Sequence, residues 1–178
     1  MIPGFIIAWL TFPGVIVHEA AHMLFCKLYG LSVIDVCFFR FATTGPSGYV
    51  IHEPTKRFWP SFFIGCGPFL INSILCFIIC FSIFLPMRFF NVSHWWYMVM
   101  GWLGISIGMH AFPSNQDAKT LWHLAVEHIK QGHYLSVLVF PIVILVYAGN
   151  LLSIVWADLF YAVGIGLGLP ELIMRWVL

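Results

Sequence analysis

His18-Glu19-Ala20-Ala21-His22 is an HExxH motif. On a helix its two imidazoles fall one turn apart on one face. There they can bind a single zinc ion, while the carboxylate beside the first takes a proton from zinc-bound water. The residue content of this chain would produce the pattern by chance in roughly one sequence in a hundred. The motif also lies inside an apolar run from Ile2 to Tyr29, long enough to cross a bilayer. Ionisable side chains at that depth cost about 2.5–3.5 kcal/mol each on insertion scales, so their presence points to a role.

A catalytic zinc site needs a third protein ligand and an open position. That ligand must be brought to the motif by other elements, and composition says what those elements are. The 178 residues are 61% hydrophobic and 8% charged. Soluble domains carry about 25% charged residues, so the chain reads as one membrane-embedded domain, residues 1–178, whose partner is the lipid bilayer. The net charge of +1, with no basic stripe, argues against nucleic acid. Five cysteines with no CxxC pair read as packed thiols, not as a disulfide framework or a zinc site. The first apolar run lacks a basic leader and contains the motif, so it is not read as a cleaved signal.

The expected architecture is an all-α polytopic membrane protein with about four transmembrane helices and a membrane-surface β-hairpin between the first and second. The first segment, Ile2 to Tyr29, is interrupted by Gly4, Pro13 and Gly14, which suggests a kink before the motif. The second runs from Trp59 to Leu85, with Pro86 and Arg88 as the stop. The third runs from His94 to Phe112, and its Gly104 and Gly108 form a small-xxx-small pair for close helix packing. The last apolar stretch, Tyr134 to Leu169, is read as one span with a helical tail, although a turn near Gly149-Asn150 or Asp158 is an alternative. Val33–Phe39 and Tyr49–His52 flank a Gly- and Pro-containing turn and suggest the hairpin. Asp117–Gln131 reads as an interfacial amphipathic helix with Leu121, Leu124, Ala125 and Ile129 on one face. Lys27, Arg40, Lys56, Arg57, Lys119 and Lys130 fall on one side, which the positive-inside rule makes cytoplasmic.

With this topology three polar features reach similar depth, nearer the cytoplasm: HEAAH, the Gly65–Asn72 stretch and the segment Pro113–Asp117. Asp117, following Pro113 at a helix end, is the expected third ligand. Its plainer reading is an N-cap for the helix that follows. His110 is the rival ligand. Asn72 can equally be a hydrogen bond between helices. His52-Glu53 reads as an exposed turn, and His94, His123, His128 and His133 as interfacial. Asp158 is an intramembrane carboxylate that is read either as a helix break or as functional.

HEAAH in the first span, Gly65-Cys66-Gly67-Pro68-Phe69-Leu70-Ile71-Asn72 in the second and an Asp after a Pro at the end of the third resemble the site-2 protease family of intramembrane zinc metalloproteases. The resemblance covers roughly residues 13–118. The family typically shows Asn-x-x-Pro and then Leu-Asp-Gly, where this chain has His110-Ala111-Phe112-Pro113 and Gln116-Asp117-Ala118, a divergent version. The resemblance implies one zinc held by His18, His22 and Asp117, with Glu19 as general base. It implies that Asn72 holds the substrate backbone or stabilises the oxyanion, and that the surface hairpin pairs with a membrane-protein or peptide substrate. It leaves room for a regulatory membrane partner. The rival expectation is a non-catalytic membrane subunit that keeps the metal site for structure or partner binding.

Overall fold

The computed structural model describes residues 3–90, 94–132, 134–152 and 156–177. It is mostly helical, with one two-stranded sheet. Helix α1 (Gly4–Leu10) leads into α2 (Phe12–Leu28), which carries the HEAAH motif. The two helices meet at 88°. Pro13 has no N–H to continue the ladder, and Thr11 between the helices leaves helical geometry at φ −117°, ψ 31°. The kink foreseen from Pro13 and Gly14 is therefore a right-angle break.

Strands β1 (Val33–Cys37) and β2 (Tyr49–His52) pair antiparallel, Cys37 opposite Tyr49 and Val33 opposite His52. This hairpin doubles back along α2. Phe39 packs on Phe12 with ring centroids 5.7 Å apart, and Phe41 packs on Trp9 at 5.6 Å. Its loop is pinned by Arg40, whose amide donates to the Ser47 carbonyl at 2.7 Å and whose Nε donates to the Pro46 carbonyl at 3.0 Å. Tyr49 donates to Asp35 Oδ2 at 2.9 Å, and this bond to a carboxylate pushes the phenol pKa up.

Helix α3 (Phe58–Phe90) is the central element. It does not stop at Pro86, as expected from the sequence, but runs through it to Phe90. Helix α4 (Trp95–Met109) packs along it through Gly104 and Gly108. A Cβ at those positions would sit 2.6 Å from Cys80 Sγ and 2.7 Å from Cys76 Sγ, so the small-xxx-small pair does permit the close approach. All five cysteines are free, and four of them are buried.

Helix α5 (Asn115–Lys130) turns its Ala118, Leu121 and Ala125 face into a core with Cys66, Val139, Val143 and Val146. Its amphipathic pattern therefore serves the protein interior. The last apolar stretch does not form one span. A 3₁₀ turn (Tyr134–Leu138) and α6 (Val139–Leu152) end before Trp156, which takes a left-handed φ of 66°. Then α7 (Ala157–Val163), a π turn (Gly164–Gly168) and α8 (Leu169–Val177) follow. The break thus falls just before Asp158.

Helix α3 and residues Ala157–Trp176 are long and apolar enough to cross a membrane, and α1 with α2 makes a third candidate if the bent pair is one span. With 15 and 14 residues, α4 and α6 are shorter. At 1.5 Å per residue they reach roughly 22 Å against a hydrocarbon core of about 30 Å.

Candidate metal centre

The site forms where α2, α3 and the α4–α5 junction meet. His18 and His22 stand one turn apart on α2, as the i, i+4 spacing requires. Their Nε2 atoms lie 3.2 Å apart. Asp117, in the first turn of α5, brings Oδ2 to 3.7 Å from His22 Nε2. One ligand atom from each of the three residues falls within 4.8 Å of the others. The sequence expectation of a His18, His22 and Asp117 cluster is met in space, even though the third residue comes from a distant part of the chain.

The outer nitrogens of the two histidines decide what the cluster can hold. His18 Nδ1 donates to the His110 carbonyl at 2.7 Å, and His22 Nδ1 donates to the Ile64 carbonyl at 2.9 Å. A carbonyl only accepts, so each Nδ1 must carry the proton. In the neutral rings both Nε2 atoms are then bare lone pairs, facing each other beside a carboxylate. Three electron-rich atoms converge, and among the described residues no Lys or Arg lines their cavity. A proton would satisfy only part of this set, whereas one divalent ion would satisfy all three. Two imidazole nitrogens and one carboxylate oxygen are a donor set that suits zinc, and the Nδ1–H···O=C contacts are the usual supports for metal-binding histidines.

Asp117 is held by its own helix start. Ser114 is the N-cap of α5 and Asp117 is its N3 residue, which corrects the reading of Asp117 as the cap itself. Asp117 Oδ2 accepts from the Ser114 amide at 2.9 Å and from Ser114 Oγ at 2.6 Å, while Ser114 Oγ accepts from the Asp117 amide at 3.2 Å. This capping box turns the carboxylate back towards the helix N-terminus, and hence towards His22. The signal was present in the sequence as Ser-x-x-Asp.

His110, the rival ligand, points elsewhere. Its Nε2 lies 2.8 Å from Thr11 Oγ1, and Thr11 spends its only proton on the Ile7 carbonyl at 2.7 Å. His110 Nε2 is therefore the donor to Thr11. What His110 offers the centre is its backbone carbonyl.

Asn72 is fully buried and is not among the residues that line the cavity. The two Nδ2 hydrogens are shared among the carbonyls of His110 at 2.9 Å, Ile107 at 3.1 Å and Gly14 at 3.4 Å. The interhelical reading of Asn72 is the one the geometry bears out. It ties α3 to α2 and α4 through a carbonyl that also orients His18.

Glu19 is 8% exposed and lines a cavity of about 840 Å³ together with the three clustered residues. The segment Gly48–His52 forms another wall, and a Cβ at Gly48 would lie 2.7 Å from Glu19 Cγ. Asp158 lines the same cavity, a placement its sequence context did not reveal. His52 reaches the wall, but its Nδ1 donates to the Glu53 carbonyl at 2.8 Å and it is not in the cluster. His94 and His123 are exposed, His128 lies 3.1 Å from the Lys56 carbonyl, and His133 is outside the described residues. No family model, curated protein or solved structure matches the chain.

Proposed function

We propose that the protein is an intramembrane zinc metalloprotease that hydrolyses a peptide bond in or near a membrane-spanning segment. One observation carries the reading: three convergent metal-capable atoms, from His18, His22 and Asp117, share a cavity with a buried carboxylate and a β-strand. When bound there, zinc would supply the Lewis acidity that activates water and polarises a carbonyl.

The chain's own groups account for the remaining steps. Glu19 accepts a proton from the attacking water and returns it to the leaving amide nitrogen. A helical substrate keeps its amides in internal bonds, so it must unwind before it is cut. Strand β2 pairs with β1 along one edge only, among the described residues, and it lines the cavity. An unwound substrate can add to it as a further strand through main-chain hydrogen bonds. The site lies towards the end of the molecule that carries Lys27, Lys56, Arg57 and Lys119, which we take as the cytoplasmic side.

The test is cleavage by the purified chain in detergent of a membrane helix bearing a helix-breaking residue. A chelator should stop it and added zinc should restore it. A chain that binds one zinc but cuts no such helix would instead favour a non-catalytic metal-bearing subunit.

A further inference from the structure

The two carbonyls that support the histidines become available for different reasons. His110 caps the end of α4, where the last carbonyls of a helix have no intrahelical donor. Ile64 lies inside α3, where a carbonyl ordinarily accepts from the amide four residues on. That residue is Pro68, which has no N–H. A proline ring also crowds the carbonyl four residues before it and tilts it away from the helix axis. Pro68 is fully buried, and the neighbouring Gly67 lets α2 close in, since a Cβ there would overlap the Phe25 ring. The Ile64 carbonyl is thus left without its helical donor at the level of α2 where His22 Nδ1 reaches it, at 2.9 Å.

We propose that Pro68 is a positioning residue for the metal centre: by withholding the amide that would bond Ile64, it fixes His22 as the Nδ1–H tautomer with Nε2 bare towards His18 and Asp117. The consequence for metal rests on reading these three residues as its ligands. A proline inside a helix leaves one carbonyl without its amide, and here His22 Nδ1 takes up that carbonyl. Helix α3 supplies its own control, because Pro86 is also internal but lies by Arg88, far along the helix from Ile64.

Pro68→Ala restores an amide that competes with His22 for the Ile64 carbonyl. It should leave thermal stability unchanged or higher while zinc affinity falls about 10–100-fold, the usual range for losing an outer support of a metal ligand. A purely structural role for Pro68 would not separate the two readouts. Pro86→Ala should alter stability alone.

The experiment uses the full chain in detergent, labelled with ¹⁵N-histidine and stripped of metal, with His22→Gln to identify the His22 signals. Zinc affinity is then read by competition with a chromophoric chelator. We expect the Nδ1–H tautomer for His22 in the wild type, a shift towards Nε2–H in Pro68→Ala, and no shift in Pro86→Ala. Nε2–H His22 in the wild type would overturn the proposal even if Pro68→Ala fails to fold. So would a Pro68→Ala chain that keeps both tautomer and affinity. A wild-type chain with Nδ1–H His22 that binds no zinc would overturn the metal reading, while Pro68 would still stand or fall on the tautomer shift.

Discussion

His18 and His22 face each other through Nε2 at 3.2 Å while each presses its Nδ1 on a main-chain carbonyl outside α2. The same four-residue spacing occurs on many helices without this outcome. What makes it a candidate metal centre is that both outer nitrogens are spoken for, so that both inner ones are free, and that Asp117 completes the set.

The ligand set can be tested residue by residue. Wild-type protein should hold about one zinc per chain, as a three-ligand site requires. His18→Ala, His22→Ala and Asp117→Ala should each lose most of it in metal analysis after gel filtration. His110→Ala should keep it, because only the side chain is removed and the carbonyl that orients His18 remains. If Asp117→Ala keeps its zinc while His110→Ala does not, the third ligand has been assigned wrongly. Ser114→Ala should weaken zinc without abolishing it, and Ser114→Thr should restore the wild-type value, since Thr keeps the hydroxyl that holds Asp117.

The sequence made the metal cluster legible because an i, i+4 pair and a cap-like Asp after Pro113 are local patterns with fixed geometry. It also marked Gly104 and Gly108 as a close contact. It could not reveal how the apolar segments turn relative to one another. Hydropathy reads Ile2–Tyr29 as one run, yet Thr11 and Pro13 break it at 88°. The hairpin was recognisable from its turn residues, but its docking along α2 depends on Phe39 meeting Phe12 and Phe41 meeting Trp9, which are long-range aromatic contacts. Asn72 stands out by its type and by its place at the end of the Gly65–Asn72 stretch. Its inward rotation towards three carbonyls is set by packing, and no pattern in the segment encodes it.

Asn72 should therefore act on stability before it acts on chemistry. Asn72→Ala removes the donor to the carbonyls of His110, Ile107 and Gly14 and leaves them buried without it. The expected loss is about 0.5–1.5 kcal/mol, the net worth of a hydrogen bond, because the His110 carbonyl keeps His18 Nδ1 and the Ile107 carbonyl keeps the His110 amide. Asn72→Asp, of similar shape but without the N–H donor, should be at least as damaging because it sets a carboxylate oxygen against carbonyl oxygens. Thermal unfolding in detergent would read this, and a full retention of melting temperature in both variants would show that these bonds carry nothing.

Gly14 makes a sharper geometric prediction. A Cβ at this position would overlap the Ser106 carbonyl oxygen and stand 2.6 Å from His110 Cδ2. The obstacle is backbone, so α2 and α4 would have to move apart. Gly14→Ala should cost about 1–3 kcal/mol, as overpacking does. It should also weaken zinc binding, because His110 carries the carbonyl that holds His18. Gly4→Ala is the control, since a Cβ there meets nothing within 4 Å. Equal melting temperatures and zinc affinities for the two alanine variants would contradict the close approach.

Glu19→Gln separates catalysis from structure. Glu19 is buried beside the clustered ligands, yet it is not one of the three whose atoms converge. Gln has nearly the same shape and no charge, so the fold and the zinc content should survive. What it loses is the capacity to accept a proton from the attacking water. General-base catalysis contributes about 10²–10⁴-fold, so cleavage should fall by at least two orders of magnitude. The comparison needs wild-type and variant protein loaded with equal zinc and assayed on the same membrane-helix substrate, with chelator as the zero. Cleavage that persists undiminished in Glu19→Gln would remove Glu19 from the mechanism. A variant that loses its zinc along with its activity would show instead that this carboxylate supports the metal site, and the case for hydrolysis would then have to rest on His18, His22 and Asp117 without a base.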